Sequence, residues 1–263
     1  MAEIKVTFDA AEDYERLMGR WSRAVGERFL DWLAPASAAR WLDVGCGTGA
    51  FTQLVMKHCS PSSITGIDPA SAQIEHARKQ SPNADFRVGG ATPLPFADNE
   101  FDIVASALVI NFIPDRPKAL SEMRRVLCPG GIVTAYLWDR SAAGDMSPHS
   151  PMENGLRDIG AEVLRPPAVP ESTPEGATAA LEDAGFSEIV ITRIEASQTY
   201  RNFDEYWEIQ TMRLAPVGKS VAALADKDRE RLRRTMQSLL PPAADGSISY
   251  SSRALAFKAC KPA

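Results

Sequence analysis

The sequence predicts an α/β fold built on a doubly wound parallel sheet. Three observations carry that expectation. Strand-like and helix-like patterns alternate through the first 138 residues, as they do when parallel strands are joined by helical crossovers. The run W-L-D-V-G-C-G-T-G-A, Trp41 to Ala50, takes an apolar strand through three spaced glycines into a helical pattern. Acids and small residues recur where strands end, at Asp43/Gly45, Asp68, Gly90, Ser106/Ala107 and Trp138/Asp139. In an open α/β sheet those carboxyl ends are where ligands bind.

Residues 11–33 read as a helix in two pieces broken near Gly19. Tyr14, Leu17 and Met18 form one apolar face; Trp21, Val25, Phe29, Trp32 and Leu33 form the other, and Pro35 stops it. Strands are expected over 40–44, 63–67, 85–88, 101–106 and 132–138. The near-continuous apolar pattern of the fourth suits a strand covered on both faces. Helices are expected over 51–58 and 70–79. A further helix is capped by Asp115 and runs to Leu127 before Pro129-Gly130-Gly131 breaks it. Residues 140–170, rich in Pro, Ser, Gly and Ala, read as a loop with one short helix. Thr173-Pro174-Glu175 then starts a helix that ends at Ala184-Gly185. A strand over 186–195, helices over 203–214 and 226–240, and a last strand over 249–258 complete the chain.

The expected organisation is an N-terminal helical cap over 1–38 and one domain over 39–263. Insertions at 140–170 and 200–245 are expected to form a further cap over the domain, on the side away from the glycine loop's ligand, where a second substrate would enter. At 263 residues, 44% hydrophobic and 24% charged, the chain can bury a large core. The formal net charge is -5, and the arginines between Arg229 and Arg234 are offset by Asp226, Asp228 and Glu230. Nucleic acid and anionic membrane are therefore not expected as partners. Met1 to Asp9 has no apolar core of signal-peptide length, and no segment approaches a membrane span. Cys46, Cys59, Cys128 and Cys260 lie far apart without metal-ligand spacing, and three histidines are scattered. The expectation is a cytoplasmic protein with reduced thiols and no metal.

The glycine run carries the first chemical information. Glycines supply positive φ and leave no Cβ, so bare backbone can approach a ligand at the mouth of a helix. Asp43, two residues before Gly45, sets a carboxylate beside the turn. That favours a ligand with positive charge over a pyrophosphate.

Four ordered motifs carry a resemblance. They are Trp41 to Gly49, Ile67-Asp68-Pro69, L-P-F-A-D-N-E-F-D from Leu94 to Asp102, and R-V-L-C-P-G-G from Arg125 to Gly131. The chain resembles the class I S-adenosylmethionine (SAM)-dependent methyltransferases, in the UbiE-like branch also described as methyltransferase domain type 11. The resemblance covers residues 11–139 and, less specifically, the segment at Gly185-Phe186. Tyr14 to Ser22 is similar to one bacterial subgroup. The resemblance implies a Rossmann-like, seven-stranded sheet with the last strand antiparallel beside the fifth, and SAM as cofactor.

It also implies roles. The backbone of Gly45, Cys46, Gly47 and Gly49 would hold the cofactor's methionine part and ribose, with Asp43 near its ammonium. Asp68, followed by Pro69, would accept the ribose hydroxyls. Gly90 and Ala91 would flank adenine, and Ser106 and Ala107 the sulfonium. Tyr14 and Arg20 would close over the methionyl carboxylate. Many relatives carry an acid before the alanine of the adenine loop; here it reads Gly89-Gly90-Ala91, so adenine must be held by backbone.

The expected reaction is methyl transfer to a small-molecule acceptor in an aromatic, apolar pocket. No His, Cys or carboxylate pair compels a general base, and Asp139 and Tyr206 are the candidates the sequence offers. Tyr200, Tyr206 and Trp207 read either as a pocket roof or as plain helix packing, and His149 has no assigned place. Two other functions stay open: an NAD(P)-dependent oxidoreductase, for which Ala50 would complete the loop pattern, and a non-catalytic SAM-binding protein.

Overall fold

The computed structural model describes residues 15–140, 146–165 and 169–263. Seven strands form one sheet: β1 (Arg40–Val44), β2 (Ser63–Asp68), β3 (Asp85–Val88), β4 (Phe101–Ala107), β5 (Leu127–Trp138), β6 (Ser187–Tyr200) and β7 (Ile248–Cys260). Their order is β3-β2-β1-β4-β5-β7-β6. The first five are parallel, and β7 is antiparallel between β5 and β6. The chain reverses direction across the sheet between β1 and β4, which opens a crevice at their carboxyl ends.

Period-two alternation sends each strand's side chains to two cores. Leu42, Val104, Val133 and Leu137 face α4 (Arg116–Val126) and α6 (Pro174–Asp183). Trp41, Ile103, Ala105 and Tyr136 face α1 (Arg20–Leu33) and α2 (Ala50–Cys59). Helix α3 (Ser71–Gln80) covers β3 through Ile74, Ala77 and Phe86. The described N-terminal helix is therefore part of the sheet's own packing: Trp21, Val25, Phe29 and Leu33 are all buried there. The two expected pieces meet at Gly19, where a π-helix over Glu15–Gly19 gives way to α1, with Gly19 itself in helical conformation. Asp115 and Thr173 cap α4 and α6 as expected, accepting the amides of Lys118 and Gly176 at 3.1 Å.

The largest departure from expectation lies in β6 and β7. The predicted strand over 186–195 extends to Tyr200, and β7 begins at Ile248. β5 pairs β7 only as far as Trp138↔Ala254, whereas β6 stays paired with β7 to Tyr200↔Ile248. The β6–β7 hairpin thus overruns the carboxyl edge of the parallel sheet. On it sits a third core of Tyr200, Tyr206, Ile209, Met152, Leu156, Leu232 and Met236. This core joins α5 (Ser150–Asp158), α7 (Phe203–Gln210), α8 (Pro216–Ala222) and α9 (Asp226–Leu239). The expected helix over 203–214 ends at Gln210, and α8, which the sequence pattern did not show, starts at Pro216, a residue that fits the first turn of a helix. Among the described residues, no helix is long and apolar enough to cross a membrane.

Candidate functional site

The crevice is organised by two carboxylates and a turn. After Val44 the chain takes positive φ at Gly45 (79°) and Gly47 (53°). The amides of Gly45 and Cys46 both donate to the Ile67 carbonyl, at 2.7 and 3.1 Å, which fastens the turn to the end of β2. A Cβ on Gly45 would overlap the Val109 side chain, so the turn depends on glycine for space as well as for conformation.

Asp68 ends β2. One carboxylate oxygen accepts from Gly47 N at 3.1 Å, the other from Ala70 N at 2.9 Å. Each oxygen keeps a further acceptor site. Burial raises its pKa, opposed by the two amide hydrogen bonds. Asp43 is 1% exposed. Its Oδ2 accepts from Thr52 Oγ1 at 2.7 Å, while Oδ1 has no partner. Burial pushes its pKa up to about 7; the Thr52 bond works against that, and the charge of Asp68 adds to it. An orphaned, buried carboxylate oxygen calls for a cationic or donor ligand.

A cavity of about 620 Å³ opens here, lined by the glycine turn, Asp68 to Ala70, Gly89 to Thr92 and Ala107 to Val109. Phe112 to Pro114 contribute from beyond β4, and Ser22, Phe51, Leu54 and Tyr136 from the α1/α2 side. Of the residues expected at the site, Asp43, Gly45, Cys46, Gly47, Asp68, Pro69, Gly90, Ala91 and Ala107 line this cavity.

The other expected residues lie elsewhere. Gly49 caps α2 from outside the lining. Ser106 is buried and donates to the Val44 carbonyl at 3.1 Å, a bond between strands. Arg20 donates to the Thr199 carbonyl at 2.6 Å and stands over the Tyr200 ring, tying α1 to β6 away from the lining. Tyr14 lies outside the described residues. Neither candidate base lines the cavity. Asp139 is fully buried and ion-paired with Arg253 at 2.7 Å and Arg193 at 3.2 Å, so it clasps β5, β7 and β6 together. Tyr206 is enclosed in the third core between Tyr200, Phe203 and Tyr250. Burial holds its hydroxyl well above the ordinary range. The Cys46 thiol is likewise pushed up by burial.

Sequence reasoning missed Phe51, Leu54, Tyr136 and Phe112. Phe51 and Leu54 stand three apart on the helix that follows the turn, a spacing that also fits plain core packing. Tyr136 pairs with Ala107 across β4 and β5. That register was the one signal linking it to an expected site residue.

A doubly wound sheet with β7 antiparallel between β5 and β6, and an acid at the end of each of its first two strands, is the Rossmann-like fold of the class I methyltransferases. Residues 42–135 match the family described as methyltransferase domain. Over that segment the chain is similar to UbiE-like methyltransferases. It is 39% identical over 111 residues to a malonyl-[acyl-carrier protein] O-methyltransferase of Erwinia pyrifoliae, covering 42% of each chain. It is 33% identical over 121 residues to the ubiquinone/menaquinone biosynthesis C-methyltransferase UbiE of Dinoroseobacter shibae, covering 44% of this chain and 48% of that one. The chain thus spans about half or less of the length of these curated relatives. A solved Haemonchus contortus phosphoethanolamine N-methyltransferase 2, in complex with phosphomonomethylethanolamine and S-adenosylhomocysteine, shares the fold. Its TM-score is 0.56 at 19% identity, over 97% of this chain and 58% of that one.

Proposed function

We propose that the protein transfers a methyl group from S-adenosylmethionine to a small-molecule acceptor. The observation that carries this reading is the pairing of two differently prepared carboxylates beside one glycine turn. Asp68 is fixed by two backbone amides with acceptor sites to spare for vicinal hydroxyls. Asp43 is buried with one oxygen unpartnered, which suits an ammonium group directly or through water. Gly90 and Ala91 take the adenine end, where an added Cβ on Gly90 would meet nothing closer than Thr92 N at 4.0 Å. The bound cofactor supplies an activated sulfonium methyl.

The chain's own contribution is orientation and exclusion of water. Phe51, Leu54, Tyr136 and Ala107 give the cavity an apolar wall. The third core, with α7, α8 and α9, lies outside the described lining, and residues 200–245 are read as an acceptor-side cap from the sequence pattern alone. Calorimetric titration with S-adenosylhomocysteine and with NADH tests the reading. Micromolar binding of the thioether and none of the dinucleotide is expected; the reverse would sink it. Turnover of SAM with any acceptor distinguishes an enzyme from a binding protein.

A further inference from the structure

Asp43 lines the cavity, while Thr52, which anchors it, does not. Both are fully buried, at 1% and 0% exposed. The cross-strand neighbours of Asp43 are Gly66 and Ala105, whose side chains offer no hydrogen bond. Among the described residues the Thr52 hydroxyl is the one side-chain donor on this carboxylate. It reaches Oδ2 at 2.7 Å and leaves Oδ1 unpartnered. An aspartate carboxylate turns in a broad, two-fold torsional well, so by itself neither oxygen is fixed. Threonine has few χ1 choices in a helix, and Thr52 sits in the first turn of α2. A threonine hydroxyl within a helix commonly bonds a carbonyl one turn back; this one reaches across to β1 instead.

We infer that Thr52 is a positioning residue for the amino-acid end of the cofactor: it ties down Oδ2 of Asp43 so that Oδ1 is left to receive the ligand's ammonium. This rests on the proposed function. The bond acts in two ways. It sets which oxygen is offered, and it bears on the charge of the carboxylate. Burial opposes ionisation of Asp43; the donated hydroxyl favours it, and the charge of Asp68 at the end of β2 opposes it again. The Cys46 thiol, the other titratable group beside it, is held protonated by burial and by the two carboxylates. The Thr52 backbone amide adds a smaller pull toward the ionised form, which a side-chain substitution leaves in place. The hydroxyl can therefore be removed on its own.

The test is calorimetry of the full chain with two ligands, S-adenosylhomocysteine and 5′-methylthioadenosine. The second keeps the nucleoside and the thioether and has no amino-acid end. Thr52→Val has the same shape without the hydroxyl. It should weaken S-adenosylhomocysteine about tenfold at pH 7 and leave methylthioadenosine within about twofold. The gap should narrow toward about pH 8.5, where the carboxylate ionises more readily without the bond. Thr52→Ala, which places no methyl against the carboxylate, should behave as Thr52→Val does, and Thr52→Ser should restore most of the lost affinity. On an Asp43→Asn background Thr52→Val should change little, since the two residues act as one unit. Unchanged affinity for S-adenosylhomocysteine, equal weakening of both ligands, a gap that stays constant with pH, or no rescue by serine overturns the inference. Wild-type protein that binds neither ligand would remove the proposed function and this assignment together. Wild-type protein that binds both with equal affinity would overturn the assignment alone.

Discussion

Two regions of the carboxyl edge are held by different physics. Around β1 and β2 the backbone does the work: the Gly45, Cys46, Gly47 and Ala70 amides converge on the Ile67 carbonyl and the Asp68 carboxylate. Few side chains are needed, and each has a narrow task. Around β6 and β7 side chains do the work. Asp139 anchors two arginines, and Glu153, 1% exposed, holds Arg140, Arg157 and Arg165. Gln210 is buried and bonds the hydroxyls of Tyr200 and Tyr250, while His149 meets its other end at 3.0 Å. The geometry of the first region is local, set by one turn and the end of the neighbouring strand, whereas that of the second depends on partners far apart in the chain.

The sharpest way to break that contrast is Asp139→Ala. Removing one member of a buried ion pair strands the others and typically costs about 3–5 kcal/mol. Arg193 is 45% exposed, so a value near the low end, about 3 kcal/mol, is expected. Denaturant unfolding should show it, while affinity for S-adenosylhomocysteine in the folded protein stays within about twofold. A large loss of affinity would mean the regions are coupled and the contrast is wrong. Asp68→Ala is the mirror experiment. It should weaken S-adenosylhomocysteine binding by about 1.5–3 kcal/mol, the range for hydrogen bonds to a charged group. Unchanged affinity by calorimetry would mean that the ribose is misplaced.

The cofactor half was largely legible in the sequence because its determinants are contiguous. Parallel strands covered on both faces read as apolar runs, and the glycine turn and Asp68 lie at their ends. The other half was not, for three physical reasons. The outer part of the β6–β7 hairpin presents Ser197 to Ser251 and Thr199 to Ser249 as hydroxyl pairs at 2.8 and 2.7 Å. Such residues read as loop, and only their partners across the ladder make them strand. The roles of Arg20 and Asp139 depend on partners far along the chain, Thr199 and Arg253, which no local pattern reveals. Tyr136 carries the alternation of any buried strand residue, so its place on the cavity follows only from the register with Ala107.

A smaller effect sharpens the contrast through pH. Asp43 titrates at about 7 in the folded chain, above its ordinary value of 3.8. Between those values the folded chain keeps a proton that the unfolded chain has lost. Its contribution to stability therefore falls as pH rises from about 4 to 7 and is flat above. A ligand ammonium selects the ionised carboxylate, so binding releases this proton. Affinity for S-adenosylhomocysteine should rise about tenfold between pH 6 and 8 as the ionised fraction of Asp43 grows, which is about 1.4 kcal/mol of binding free energy. Asp43→Asn should flatten the profile. Calorimetry in buffers of different ionisation enthalpy reads the proton directly, and a profile equally steep in the variant would assign it to another group.

The smallest effect tests whether the cap is a separate module. Asn202 caps α7, its side chain accepting from Glu205 N at 2.9 Å. The helix carries Tyr206 and Ile209 into the third core and Gln210 into the tyrosine network. Asn202→Ala removes one satisfied amide at the helix start and should cost about 1 kcal/mol. If the cap opens as its own unit, hydrogen exchange should quicken in α7 and its neighbours while the amides of β1 and β2 keep their protection. Equal loss of protection across both regions would show a single cooperative unit.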